Sequence, residues 1–323
     1  MTKRISEQEA AAMLQHADHI LLLAHQYPDG DTLGSNFALC QALQALGKTV
    51  RVLCGDPIPE RYEYMHEGLP QPEFDPQFIC AVDVADAKLL GPTVQQQYGD
   101  RVDLCIDHHS TNTGYAAHTC VDADCAAAAM VVFRLIGLLG VELTPSIAQC
   151  LFTGIATDTG CFKYSNAGAL AHRMAADCID KGIPYEMINR VNFDIKSRAR
   201  IELERMALDQ MRFSHAGRVA VMVITNEMVE KSGADDNDME GLPPIPRQIE
   251  GVWVGITLRQ KADGNYKISV RTGTHADAAK ICALLGGGGH NRAAGCAVDG
   301  TLEEAKAAII RAVEQAVPRI TTG

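Results

Sequence analysis

The chain is 323 residues long, enough for two domains that each bury a core of their own. Hydrophobic residues make up 47% and charged residues 21%, a globular balance that excludes disordered and fibrous classes. A formal net charge of -11 argues against gripping long duplex nucleic acid, where affinity comes from Lys and Arg neutralising phosphates, but a small phosphorylated ligand held through bound cations remains open.

The start, Met1-Thr-Lys-Arg-Ile-Ser-Glu-Gln-Glu, leads into a short helical pattern and lacks the apolar core of a signal peptide, so a cytoplasmic location is expected. The longest apolar stretch, residues 126–141, is short and carries Arg134, which argues against a membrane span. The 11 cysteines are scattered, none as close as C-x-x-C, and most sit in apolar strings; buried, reduced thiols are expected.

Ile20-Leu-Leu-Leu-Ala24 is a short apolar strand that stops at His25 and the turn-rich Pro28-Asp-Gly-Asp31. Helical spacing follows through Leu33, Phe37, Leu39, Leu43 and Leu46, with Gly47 as a stop. Residues 49–53, 78–82 and 102–106 read as further strands, the second ending at Asp83 and the third at Asp107-His108-His109. Short apolar strands separated by helices imply an α/β fold, a parallel sheet with helices on both faces. Helices are expected over residues 126–139 and 145–156, the latter delivering Thr157-Asp158-Thr159-Gly160. Charged residues 184–211 read as a helical connector. Beyond it, strands over 218–224, 251–258 and 266–270, a mobile loop over 235–246, the run Gly286-Gly-Gly-Gly289 and a final helix over 301–317 describe a smaller α+β unit. The expected domains are therefore 1–185, 186–211 and 212–323.

Three separate strands end in acidic or imidazole residues: His25 to Asp31, Asp83, and Asp107 to His109. Ligands of parallel α/β sheets bind at the carboxyl ends of the strands. Carboxylates side by side there repel one another, and divalent cations relieve the repulsion. Each residue also has a plainer explanation, since an Asp after a strand often caps the next helix and Asp29-Gly-Asp31 alone is an ordinary turn. Their alignment along one edge of one sheet favours a metal site. Asp158 adds a further carboxylate at the end of a helix, where the dipole disfavours negative charge. His16, His19, His66, His118, His172, His215 and His275 lack such a setting and read as surface or local structural residues.

With these residues in view, His25-Gln-Tyr-Pro-Asp29-Gly-Asp31-Thr-Leu-Gly34-Ser35, Asp83, Asp107-His108-His109 and Thr157-Asp158-Thr159-Gly160 resemble the successive motifs of the DHH phosphoesterases. Gly286-Gly-Gly-Gly-His290-Asn-Arg-Ala293-Ala-Gly295 resembles the signature of the companion DHHA1 domain, and order and spacing fit over essentially the whole chain. The nearest subgroup is that of the stand-alone bacterial oligoribonucleases that also act as 3′-phosphoadenosine-5′-phosphate phosphatases.

The resemblance implies two divalent ions, manganese first and magnesium, cobalt or iron as alternatives. His25 and Asp29 would bind one, Asp31 and His108 the other, with Asp83 and Asp158 bridging or serving both. Such a pair activates water at neutral pH and neutralises phosphoryl oxygens. Asp107 would orient a ligating imidazole, and His109 would contact the scissile phosphate or assist the leaving oxygen. In the second domain Ser269, Arg271, Gly286, Gly287, Gly288, Gly289, His290 and Arg292 would grip a phosphate or terminal nucleotide, the glycines by letting backbone N–H groups approach it. An active site in a cleft between the domains would limit substrate size.

One departure from the family pattern is Asp124-Cys-Ala-Ala-Ala-Ala-Met130, where relatives carry Ser or Thr and a Glu; polar support for the metal site is expected to be reduced there. A milder one is Ser269-Val-Arg271-Thr272. The expected activity is hydrolysis of short single-stranded RNA to 5′-mononucleotides and of 3′-phosphoadenosine-5′-phosphate to AMP. No membrane partner is expected, and a homodimer is compatible. Cyclic or linear dinucleotide cleavage uses the same reactive centre, whereas inorganic pyrophosphatase or exopolyphosphatase activity would favour a more cationic second domain. A non-catalytic nucleotide or RNA-binding module would predict eroded ligands, and all six are intact.

Overall fold

The computed structural model describes residues 2–239 and 241–320. Met1 and residues 321–323, at the outer limits of the expected domains, and Glu240 in the expected loop lie outside the described residues. The chain divides into two compact units, Met1–Ile195 and Lys196–Gly323.

The first unit holds β1 (Lys3–Arg4), α1 (Glu7–His16), β2 (Ile20–Leu23), α2 (Gly30–Ala45), β3 (Val50–Leu53), β4 (Phe78–Val82), α3 (Pro92–Tyr98), β5 (Leu104–Asp107), β6 (His118–Val121), α4 (Ala128–Leu138), α5 (Pro145–Asp158), α6 (Ala169–Ile179) and α7 (Tyr185–Asn189). Its six strands pair in parallel in the order β1-β6-β5-β4-β2-β3. The sequence reading misses β1 and β6 because neither carries an apolar run: Lys3-Arg4 is exposed, and His118-Thr-Cys-Val is only half apolar.

Alternation along the strands sends side chains into two cores, as a sheet covered on both faces requires. Ile20, Leu22, Cys80, Val82, Leu104 and Ile106 join α2, α4 and α5 in one core. Leu21, Leu23, Ile79, Ala81 and Cys105 meet Val94 and Tyr98 of α3 in the other. Each fully buried large aliphatic side chain contributes about 1.5–3 kcal/mol relative to exposure. Helices α2 and α5 approach almost backbone to backbone: a Cβ on Gly34 would stand 2.3 Å from the Cys150 carbonyl oxygen. Strand order reverses around β2, which lies between β3 and β4, and this switch point opens the crevice in which the chemistry sits.

The second unit holds α8 (Arg198–Asp209), β7 (Arg212–Ser214), β8 (Val219–Ile224), α9 (Asn226–Ser232), β9 (Val254–Gln260), β10 (Tyr266–Thr272), α10 (Ala278–Ala283), β11 (Gly288–His290), β12 (Ala293–Val298) and α11 (Leu302–Ala316). Its mixed sheet runs β11-β12-β10-β9-β8-β7, with β8 and β9 parallel and the other pairs antiparallel. Ile256, Leu258, Ile268 and Val270 pack against Ile281 of α10 and Ile309 and Val313 of α11.

The stretch read as one connector straddles the unit boundary, with α7 on one side and α8 on the other. Within the expected loop over 235–246, the described residues Asp238 and Leu242 make specific contacts. Arg200 donates to the Asp238 carbonyl at 2.7 Å, Ser197 donates to the Asp238 carboxylate at 2.6 Å, and Leu242 is fully buried.

Candidate metal centre and active site

The loop after β2 carries His25 and then Asp29, which caps α2. Asp29 Oδ1 accepts the Asp31 and Thr32 amides, each at 3.0 Å, and lies 3.7 Å from His25 Nε2. Asp29 therefore caps the helix while its carboxylate also faces His25. Asp83 follows β4 in a left-handed conformation, φ +64°, uncommon for a residue with a Cβ and a mark of strain held at a site. The preceding Val82 carbonyl is gripped by the buried Thr32 hydroxyl at 3.2 Å and the Asn36 amide at 3.3 Å. These two α2 side chains fix the end of β4, a role the sequence reading does not assign although both sit one helical turn apart behind Asp29.

Asp31 points from the first turn of α2 to the start of α4. Its two oxygens accept the Ala128 amide at 2.6 Å and the Ala129 amide at 2.9 Å, and Ser35 adds a third bond at 3.1 Å. This explains how the alanine-rich departure is tolerated: backbone N–H groups at a helix N-terminus hold the carboxylate, so no polar side chain is required at these positions. Gly154 on α5 leaves room beside it, since a Cβ there would lie 2.7 Å from Asp31 Oδ1 and 2.6 Å from Ala129 Cβ.

The structure brings all six expected ligands together. His108 Nε2 lies 3.3 Å from Asp158, 3.6 Å from Asp83 and 3.8 Å from Asp31, and His25 Nε2 lies 3.7 Å from Asp83. Potential ligand atoms of His25, Asp29 and Asp83 fall within 4.8 Å of one another, as do those of Asp31, His108 and Asp158. A third such group joins Asp83, His108 and His109. Asp83 touches both halves of the cluster.

The protons decide what the cluster needs. His25 Nδ1 faces the Gln26 carbonyl at 2.8 Å, and His108 Nδ1 faces the Cys125 carbonyl at 3.2 Å. A carbonyl only accepts, so each Nδ1 carries a hydrogen and each ring turns its Nε2 toward the carboxylates. Buried His108 Nε2 and Asp83 Oδ1 have no hydrogen-bond partner. Buried carboxylates and imidazole nitrogens gathered this closely form a donor set that could hold a metal ion.

Electrostatics agree. Burial, then the neighbouring Asp31, Asp29, Asp158 and Asp107 carboxylates, push Asp83 well above the usual carboxyl range. Burial, then Asp31 and Asp29, do the same to Asp158. Burial also raises Asp31 despite the opposing His108 and α4 amides. Burial would raise Asp29 and lower His25, but the contact between them outweighs it in both, so Asp29 falls and His25 rises.

Asp107 departs from its expected role. Its Oδ1 accepts His109 Nδ1–H at 2.8 Å and only the backbone N–H of His108, whose ring faces the Cys125 carbonyl. Asn112 donates to Asp107 Oδ2 at 2.5 Å, a support without a sequence signal. Burial disfavours charge on both partners, yet their pairing lowers Asp107 and raises His109.

In the second unit, cross-strand register sets Ser269 opposite Gly295 and Gly288, and Arg271 opposite Ala293 and His290, so Ser269, Arg271 and His290 share one sheet face. The glycine run is partly a strand rather than a loop. Gly287 and Gly289 are needed for close backbone approach, since their Cβ atoms would come within 2.2 Å and 2.7 Å of β12 backbone atoms, whereas Gly288 faces open space and Gly286 takes φ +73°. Arg292 is turned to the Gly273 and Ala276 carbonyls and braces the loop after β10.

A parallel sheet with clustered Asp and His residues at its switch point, in a chain that continues into a mixed-sheet unit, is the arrangement that the DHH family of phosphoester hydrolases shares. Residues 19–155 match the DHH family, N-terminal domain, and residues 217–318 match the DHHA1 domain. The chain belongs to this two-domain DHH family. It is 33% identical over 309 residues to the bifunctional oligoribonuclease and PAP phosphatase NrnA of Thermus thermophilus, covering 93% of this chain and 90% of the relative. An exopolyphosphatase-related protein of Bacteroides fragilis superposes with a TM-score of 0.88 at 25% identity, covering 97% of each chain. RecJ of Thermus thermophilus, solved in complex with Mn2+, shares the fold at a TM-score of 0.59 and 18% identity, over 97% of this chain and 55% of that one. No described helix is long and apolar enough to cross a membrane.

Proposed function

We propose that the protein is a two-metal phosphoesterase that hydrolyses short oligoribonucleotides to 5′-mononucleotides and 3′-phosphoadenosine-5′-phosphate to AMP. The observation that carries this reading is the pair of buried atoms without a hydrogen bond, Asp83 Oδ1 and His108 Nε2, at the centre of four carboxylates and two imidazoles. His25, Asp29 and Asp83 would hold one divalent ion and Asp31, His108 and Asp158 the other. Ions held there supply Lewis acidity toward the phosphoryl oxygens and a nucleophile at neutral pH. His109, its Nδ1 proton committed to Asp107, delivers a proton from Nε2 to the leaving oxygen. Ser269, Arg271, His290 and the open Gly286 and Gly288 backbone bind a substrate phosphate or terminal nucleotide. The name of the Thermus thermophilus relative supports the choice of short RNA and 3′-phosphoadenosine-5′-phosphate.

The test is turnover by the Mn2+-loaded protein on a dinucleotide RNA, a five-residue RNA, 3′-phosphoadenosine-5′-phosphate, a cyclic dinucleotide and pyrophosphate, with Asp83→Ala and His108→Ala as controls. Mononucleotide release from the short RNAs, absent in both variants, is expected. Silence on every nucleotide with rapid pyrophosphate cleavage would overturn the proposal.

A further inference from the structure

Tyr27 stands between the metal ligands His25 and Asp29, two residues from each, so its Cα lies within about 7 Å of both backbones. It holds φ +53°, a left-handed conformation that Gly or Asn would adopt at lower cost. The strain is held from three sides. The Tyr27 N–H donates to Asp56 Oδ2 at 2.8 Å, the neighbouring Gln26 N–H donates to the Leu89 carbonyl at 2.6 Å, and Pro28 fixes the next φ. Such strain in a braced loop is a feature of binding and catalytic sites.

The side chain gains nothing from the protein core in return. Tyr27 is 75% exposed, the most exposed large hydrophobic residue among those described. Tyr164, near Asp158, makes the contrast: its ring lies over Gly160, where an added Cβ would come within 2.3 Å of it. A strained backbone that aims an aromatic ring at solvent beside a phosphoryl centre has the form of a preorganised stacking surface. Every nucleobase offers a π-face, so such a platform accepts any base while excluding base-free phosphates.

We propose that Tyr27 is a specificity-determining residue that stacks on the nucleobase of the nucleotide whose phosphate is bound at the metal centre; this rests on the nucleotide reading above. Tyr27 is a positioning group: it contributes to base recognition and leaves the chemistry to the ligands and His109.

The experiment titrates 2-aminopurine riboside 5′-monophosphate into the Mn2+-loaded protein and follows its fluorescence, which stacking quenches, with ribose 5-phosphate as the base-free competitor. Wild type should quench the probe and bind it more tightly than ribose 5-phosphate. Tyr27→Phe should keep both properties. Tyr27→Ala should weaken probe binding about 5- to 150-fold, the range for loss of one base–aromatic stack, without changing ribose 5-phosphate affinity. On a dinucleotide RNA it should raise KM by a similar factor with kcat within about twofold. Tyr27→Gly, which relieves the backbone, should match Tyr27→Ala and separates loss of stacking from misfolding of the loop. Equal losses for probe and ribose 5-phosphate, or no change in either, would overturn the proposal. A wild type that hydrolyses nucleotides but binds both ligands equally would also overturn it. A wild type inert on every nucleotide would instead overturn the function on which it rests.

Discussion

Gly154→Ala separates helix propensity from packing at the metal centre. Alanine favours a helix over glycine by about 1 kcal/mol, so on an open helix face the change stabilises. Gly137 on α4 is such a position, exposed and with no atom within 4 Å of an added Cβ. At Gly154 the same methyl group meets Ala129 Cβ at 2.6 Å and Asp31 Oδ1 at 2.7 Å. Carbon atoms ordinarily sit about 3.5–4.0 Å apart, so α4 and α5 must separate, at an overpacking cost of about 1–3 kcal/mol. Net of propensity, Gly154→Ala should lie between neutral and about 2 kcal/mol destabilised. Its gap from Gly137→Ala should then be about 1–3 kcal/mol, or roughly 2–12 °C in Tm by calorimetry. Turnover is the sharper assay. Ordinary contact begins at 3.4 Å, so the Asp31 oxygen must give by about 0.7 Å, and a misplacement on the order of 1 Å costs about 10²-fold. A kcat reduced about 10- to 100-fold is expected, with Gly137→Ala unaffected. Full activity together with a Tm gain equal to that of Gly137→Ala would refute the close approach of α5 to Asp31.

Three further outcomes follow from the same geometry. Burial and mutual repulsion raise Asp83 and Asp158, so both are protonated at low pH. Ionising them costs stability as pH climbs from the unfolded value of about 3.9 toward the raised folded values. The metal-free protein should weaken over that window, and Mn2+, which binds the ionised forms, should raise Tm more at pH 8 than at pH 5; a pH-independent shift would contradict this. Asp107→Asn removes the charge that holds His109 up, so its NMR titration midpoint should fall and the alkaline limb of the pH–rate profile should move to lower pH. An unmoved midpoint would remove Asp107 from that role. Arg134 ties α4 to Glu7 at 3.0 Å and to Asp122 at 2.6 Å, and Arg134→Ala should destabilise by about 1–3 kcal/mol in urea melts while leaving kcat intact.

The sequence by itself determined the class of fold and which Asp and His residues meet at the strand ends. Apolar strands end in His25, Asp83 and Asp107-His108-His109, and in a parallel sheet strand ends share one edge. The DHH motifs are local in sequence for the same reason, since each sits on a single strand-to-helix turn. The two short outer strands β1 and β6 escaped because edge and near-edge strands need few apolar residues, and pairing rather than pattern creates them.

Tertiary structure alone decided how the cluster is held. The α4 amides that cradle Asp31 lie 97 and 98 residues away in sequence, and backbone N–H groups leave no mark in side-chain identity. The choice of His109 over His108 as the partner of Asp107 turns on ring orientations that adjacent histidines share as sequence. The glycine run was visible, but its division into a paired strand and two open positions depended on how near β12 runs to each Cα. Short-range chemistry is written along the chain; distances between residues far apart along it exist only once the chain has folded.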